Sequence, residues 1–189
     1  DQDAKLSAIV KDTIRRDGNV LMPVLGSGRG QEIIMMIVQL MQDGEIPEVP
    51  IYVDGMVWDI TAIHTAYPEF LNRNVRQEIF KEDNNPFNHD SISRVGSHQE
   101  RQQIIEQSEP CIVLATSGML VGGPSVEYLK GFAEDQRSSL IFSCYQGDGS
   151  LGRRIQGGQR RLTFREGSQE DVLNLKMNVS RIEVSGHAD

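Results

Sequence analysis

Val20-Leu21-Met22-Pro23-Val24-Leu25-Gly26-Ser27-Gly28-Arg29-Gly30 is the stretch on which the fold turns. Its first half is apolar throughout and of strand length, and its second half alternates glycine with polar residues in a tight turn. Gln31 to Met41 follows, apolar enough to predict a helix buried on most sides. Strand, glycine turn and helix in that order make one unit of a parallel sheet covered by helices. The order recurs twice. Ile112 to Ala115 predicts a strand, Thr116 to Pro124 a glycine-rich turn, and Ser125 to Glu134 a helix. Leu140 to Cys144 predicts a strand, Tyr145 to Ser150 a turn, and Leu151 to Ile155 the core of a short helix.

The expected fold class is therefore α/β, a parallel sheet in a three-layer, Rossmann-like arrangement, with residues 1–189 forming one domain. Ligands of such sheets meet the loops leaving the carboxyl ends of the strands. The loops starting at Gly26, Thr116 and Tyr145 are expected together on one rim. Working outward, residues 3–17 predict a helix with Leu6, Ile9, Val10 and Ile14 on one face, closed by Gly18. Ile51 to Val53 predicts a strand followed by Asp54-Gly55. Helices are predicted from Met56 to Ala66, before Pro68, and from Asn72 to Phe80. Glu82 to Asp90 predicts an exposed loop, and Gln99 to Gln107 a helix. Leu162 to Val184 alternates more than it runs, and predicts a small antiparallel C-terminal edge bent at Gly167.

The composition suits a globular domain with a real core, 38% hydrophobic and 24% charged over 189 residues. No apolar run is long enough to span a membrane, and Asp1-Gln2-Asp3 does not read as a signal peptide. Cys111 and Cys144 each sit in an apolar run, which reads as two buried thiols of a reducing, cytoplasmic compartment. The formal net charge of -8 argues against a polyanionic partner, with one local exception. Arg153, Arg154, Arg160, Arg161 and Arg165 fall within thirteen residues, a patch that would grip a phosphate backbone or merely balance acids on a solvated surface.

Three segments carry candidate chemistry. At Gly26–Gly30 a glycine turn opens a helix, where backbone amides and the helix start favour an anion. The sixth position is Gln31 and no Gly-Lys-Ser/Thr follows, so neither the dinucleotide fingerprint nor a P-loop is present. Arg29 is left to hold backbone phosphate or a neighbouring acid, or the turn only packs. Ser117, Gly122, Gly123 and Ser125 flank a second turn; Ser125 would cap the helix that follows. In the third, Arg153 and Arg154 stand in a short helix beside a glycine loop, where bidentate phosphate contact or a pair with Asp148 accounts for them. Tyr145 in that loop is suited to stacking on a base. The four histidines, His64, His89, His98 and His187, show no metal-site spacing. His187, in Ser185-Gly186-His187-Ala188-Asp189, lies just past a predicted strand beside a glycine.

A resemblance now becomes specific. Pro23–Glu32, Ile51–Met56, Ala62–Pro68, Ala115–Leu120 with Gly122–Ser125, Gly149–Gly158 and Ser185–Asp189 appear in family order. The chain resembles the beta-CASP domain of the metallo-beta-lactamase-fold RNA nucleases, and among them the archaeal homologues of the cleavage and polyadenylation specificity factor nuclease. The resemblance implies a domain set into a metallo-beta-lactamase domain, with the active site in the cleft between them. It implies two zinc ions in the larger protein, held by segments absent here, so that no complete metal site is expected in this chain. It matches His187 to a family histidine near the scissile phosphate. The implied activity is metal-assisted hydrolysis of RNA phosphodiesters in mRNA 3'-end processing or decay, with RNA and the protein's own metallo-beta-lactamase domain as partners and a possible homodimer. Arg29, Ser117, Gly122, Gly123, Ser125, Arg153 and Arg154 are the candidate RNA- or phosphate-binding residues. A non-catalytic RNA- or protein-interaction module is the alternative. A Rossmann-type nucleotide-binding domain is a further one, against which the failed fingerprint counts.

Overall fold

The apolar run at Val20 becomes an inner strand of a six-stranded sheet in the computed structural model, which describes residues 1–26, 29–55 and 91–183, with only the backbone of Arg29 and Gln31. The helices predicted at 56–66 and 72–80, the loop at 82–90 and the Ser185–Asp189 segment lie outside the described residues.

In chain order the elements are α1 (Gln2–Arg15), β1 (Val20–Pro23), α2 (Arg29–Gln42), β2 (Ile51–Asp54), β3 (Ile92–Val95), α3 (His98–Glu106), β4 (Ile112–Ala115), α4 (Pro124–Phe132), β5 (Ser139–Phe142), α5 (Leu151–Gln156), β6 (Arg161–Glu166), β7 (Gln169–Asn174) and β8 (Asn178–Arg181). The main sheet runs β3-β2-β4-β1-β5-β8, and every neighbouring pair is parallel. The α/β class with a parallel sheet is thus the observed one.

The strands are apolar on both sides because both faces are covered. Val20, Met22, Ile51, Val53, Ile112, Leu114 and Ile141 meet Leu6, Val10 and Ile14 of α1 and Ile33, Ile34 and Ile37 of α2. Leu21, Val113, Ala115, Leu140 and Phe142 meet Ile104 of α3, Tyr128, Leu129 and Phe132 of α4, and Ile155 of α5. Each fully buried leucine, isoleucine or phenylalanine contributes roughly 1.5–3 kcal/mol.

Three differences from the sequence reading are physical. β3 was not expected: as an edge strand it has only Ile92 and Val95 half-buried, with Ser93 and Arg94 exposed. The antiparallel pair β6–β7 forms, turned at Gly167 (φ +62°), but it is a sheet of its own. Leu162 buries under it, and the Lys130 ammonium lies 5.1 Å from the centre of the Phe164 ring. The edge of the main sheet is instead β8, parallel to β5 from Ser139↔Asn178 to Phe142↔Arg181. Finally, α1 ends at Arg15, and Asp17 rather than Gly18 takes the left-handed backbone (φ 63°).

The connections decide where a ligand would lie. The chain leaves β1 into α2 on one face and leaves β4 into α4 on the other. β1 and β4 are neighbours, so their exits diverge and open a crevice at the carboxyl rim.

Candidate nucleic-acid interface

The rim is built from strand exits held level by ladder hydrogen bonds. The Val24 amide donates to Ala115 O at 2.9 Å, Thr116 N to Asp54 O at 3.2 Å, and Ile182 N to Phe142 O at 2.9 Å. The loops after Val24, Thr116 and Ser143 therefore share one rim, as the strand–turn–helix reading predicts. β8 brings the chain to that rim just before the segment containing His187, which itself lies outside the described residues.

The loop from Thr116 to Gly123 closes on itself. Ser117 N donates to Gly122 O at 3.2 Å, and the Ser117 hydroxyl accepts from Val121 N at 3.0 Å. The Ser125 hydroxyl donates to Ser117 O at 2.7 Å. Ser125 is fully buried and does not cap α4; the N-cap position is Gly123 (φ 77°), with Pro124 opening the helix. The glycine takes that place because its backbone is left-handed and a Cβ would stand 3.1 Å from Thr116 O. The amides of Gly122 and Gly123 carry no hydrogen bond among the described residues. They precede the first turn of a nine-residue helix, whose dipole favours negative charge.

Gly118 joins three loops. A Cβ there would fall 2.7 Å from Cys144 Sγ and 3.2 Å from the Val24 carbonyl carbon. Gln146, almost fully buried, donates its side-chain amide to Gly118 O at 2.7 Å and to Cys144 O at 3.1 Å. Among the described residues its Oε1 has no hydrogen-bond partner, and it faces Gly152, where a Cβ would collide at 1.7 Å. Gly152 N in turn donates to Met119 O at 3.0 Å. These contacts fix the start of α5 against the Thr116–Gly123 loop. Ser150 caps α5, its hydroxyl accepting from Arg153 N at 3.1 Å.

Arg153 is half-exposed, its Nε 4.0 Å from the Asp148 carboxylate, so the anticipated pair is loose. Arg154 is exposed and makes no ion pair among the described residues. Tyr145 is 70% exposed, Val121 69% and Leu25 45%, and all three stand in rim loops. The structure thus brings Ser117, Gly122, Gly123 and Arg153 to one rim, with Arg154 next along α5. It turns Ser125 inward, and of Arg29 it describes only the backbone, at the start of α2.

Sequence reasoning missed a charged cluster beside this rim. Asp54, at the end of β2 and 2% exposed, accepts from Arg101 Nε at 2.7 Å, Arg101 Nη2 at 3.2 Å and the Tyr128 hydroxyl at 2.9 Å. Arg101 also pairs with Glu127, whose carboxylate lies 3.1 Å from His98 Nδ1 as a hydrogen-bond acceptor. Burial, and then the bond to Asp54, push the Tyr128 phenol above its usual range. The available signal was an acid ending an apolar strand, because a buried carboxylate requires donors. Asp54 stands where a Rossmann site would present an acid to a ribose, and it is already occupied by Arg101 and Tyr128.

A zinc centre does not fit these residues. Among the described residues, no three histidine, cysteine, aspartate or glutamate side chains come together as ligands, and Asp54 and Glu127 are both bound by Arg101. No helix among them is long and apolar enough to cross a membrane.

Comparison with known proteins agrees with the architecture. The Beta-Casp domain family model matches residues 30–155, more than half of the chain. The transcription termination factor FttA of Thermococcus kodakarensis is 48% identical over 187 residues, covering 98% of this chain and 29% of its own length. The factor of the same name from Methanosarcina mazei is 45% identical over 192 residues, covering 100% and 30%. That from a Lokiarchaeum is 42% identical over 190 residues. The chain therefore spans about 30% of the length of these relatives. On the six-stranded parallel sheet, the glycine-lined rim and the span of the family match together, the chain belongs to the beta-CASP domain family.

Proposed function

We propose that this chain is the RNA-holding part of a larger zinc-dependent ribonuclease that acts on transcripts, in 3'-end processing or decay. The observation that carries the reading is the meeting, on one rim, of the Gly122 and Gly123 amides, which carry no hydrogen bond among the described residues, with the Arg153 guanidinium of α5. Amides at a helix start and a guanidinium are both donors suited to phosphate oxygens. Tyr145 offers a nearby stacking surface for a base. The relatives' name, transcription termination factor, points to nascent transcripts as the RNA concerned. In this proposal a metallo-beta-lactamase domain outside these residues would hold two zinc ions, which would supply an activated water. This chain binds and orients the phosphate, and His187 hydrogen-bonds it or gives a proton to the leaving oxygen. Cytoplasmic location and homodimer formation belong to the same proposal.

The test is Arg153→Ala in the full-length protein, with RNA affinity measured across a salt titration. Affinity is expected to fall at low salt, and the slope of log K against log salt to become shallower by about 0.7, the value for one single-strand phosphate contact. Identical titrations for the two proteins would remove Arg153 from the interface. Binding with no chelator-sensitive cleavage in the unsubstituted protein would favour a non-catalytic RNA-binding module.

A further inference from the structure

The five arginines between Arg153 and Arg165 have separate fates. Arg160 is spent on structure: its Nη1 donates to Ile155 O and to Gln159 O, both at 2.9 Å, closing the carboxyl end of α5. Arg165 is paired across the hairpin with Glu170 at 3.1 Å. Arg153 lies beside Asp148 at the rim. Arg154 and Arg161 remain. Both are exposed, and among the described residues neither guanidinium has an acid or a carbonyl within bonding distance.

Their places are linked. Gln159 N donates to Arg154 O at 3.0 Å, and the Gln159 side-chain amide donates to Arg161 O at 2.9 Å. One residue therefore ties the last turns of α5 to the first residue of β6. Across the hairpin Arg161 faces Asn174, and Lys176, also exposed, follows soon after. Of the acids near Arg161, Glu134 accepts from Asn174 N at 3.2 Å, and Glu170, on the same face of the hairpin, is paired with Arg165. Holding cations without partners on a chain of net charge -8, where acids outnumber bases, leaves a local positive shoulder.

We propose that this shoulder, formed by Arg154 and Arg161, is a second contact point for RNA, gripping phosphodiester backbone that has already crossed the rim. The inference rests on the RNA reading of the rim. Arg154 stands about 6 Å along α5 from the cap at Ser150, and Arg161 follows the carboxyl end of the helix. A strand lying on the Gly122–Gly123 amides must continue past Arg153 before it reaches Arg161. The contact is to backbone alone, because guanidinium groups on an open surface read charge and not base edges. It lengthens the bound segment without changing sequence preference.

The discriminating variable is RNA length. In the full-length protein, Arg154→Ala, Arg161→Ala and the reversal Arg161→Glu are compared with Arg165→Ala, whose guanidinium is already paired. Binding is measured with an RNA of about 4 nucleotides and one of about 16, the limits of common single-strand sites. Each alanine variant is expected to weaken the long RNA and to make its salt slope shallower by about 0.7, with Arg161→Glu stronger in the same direction. The short RNA is expected to bind all variants alike, and Arg165→Ala to match the unsubstituted protein. Unchanged long-RNA binding in Arg154→Ala, Arg161→Ala and Arg161→Glu overturns the proposal. Equal losses on both lengths also overturn it, by assigning these arginines to the rim. A silent Arg153→Ala beside a length-dependent loss in the shoulder variants would remove the rim assignment and leave the shoulder standing. Absence of RNA binding by the unsubstituted protein would sink both.

Discussion

Asp54 shows what a single buried charge does for the rim. It is held by a forked pair of bonds from Arg101 and by the Tyr128 hydroxyl, and its neighbours Arg101 and Glu127 tie α3 to the first turn of α4. Asp54→Ala removes one partner and leaves a largely buried guanidinium and a buried phenol facing a void. A loss of about 3–5 kcal/mol is expected, read from urea unfolding. A loss under about 1 kcal/mol would mean the pair is no better than a surface salt bridge. Two neutral groups give a pH signature of defined sign. Burial, and then the bond to Asp54, raise the Tyr128 phenol, and burial pushes the Cys111 thiol up to about 12. Both folded values lie above the unfolded ones, so their stabilisation is complete below the unfolded pKa and is lost as pH rises through the folded one. Unfolding midpoints should therefore fall above about pH 8.5, where an unfolded thiol begins to ionise. Cys111→Ala should flatten the onset of that fall; an identical alkaline profile in the variant would refute the assignment. At this scale the sequence displayed the glycines, serines and arginines of the rim, because each sits in a local motif. Asp54 finds its partners 47 and 74 positions away, and no local pattern announces such a meeting.

Elements were legible to the degree that both of their faces are buried. β1, β4 and β5 are continuous apolar runs because helices cover both sides, and such runs stand out from the polar turns around them. β3 and β8 did not stand out. Each is an edge strand with exposed or half-exposed residues at every position, so neither carries the apolar signal of an inner strand. The hairpin's alternation was readable, its detachment from the main sheet was not, since detachment depends on where α5 and β8 leave room. Gly18 illustrates a right residue assigned the wrong task. The sequence makes it a helix terminator, but Asp17 takes the left-handed turn and Gly18 N donates to Thr13 O at 2.9 Å. Its lack of a side chain serves another contact, because a Cβ would stand 1.8 Å from Arg137 O, a backbone atom before β5. Backbone cannot swing aside as a flexible side chain can. Gly18→Ala is therefore expected to cost at least about 1–3 kcal/mol, the range for overpacking, and to lower the melting temperature. Gly44→Ala is the control, with open space around the Cβ and only a left-handed φ of 73° to penalise it. Equal losses at the two glycines would show that conformation, not the Arg137 contact, sets the cost.

At the scale of the molecule, the parallel sheet gathers every strand exit on one side and leaves the chemistry there incomplete. The rim has donors for phosphate, an exposed tyrosine and exposed apolar residues at Leu25 and Val121. Among the described residues it has no set of metal ligands, and the carboxylates of Asp54 and Glu127 beside it are paired with Arg101. Donors of this kind orient and hold a phosphodiester; they do not generate a nucleophile at neutral pH, which in metal-dependent hydrolases is the work of metal-bound water. The chain also spans only about 30% of its relatives. Binding and cleavage should therefore separate when the chain is produced alone. A polypeptide of these 189 residues is expected to bind RNA weakly, in proportion to the rim's few phosphate contacts, and to elute from gel filtration without stoichiometric zinc. It is expected to cleave no RNA, with or without added zinc, under the conditions used to assay the full-length protein. Zinc content by elemental analysis and cleavage with and without chelator check this together. Stoichiometric zinc on the isolated chain, or hydrolysis that chelator abolishes after contaminating nuclease is excluded, would place ligands and catalysis within this chain and overturn the division of labour argued from its rim.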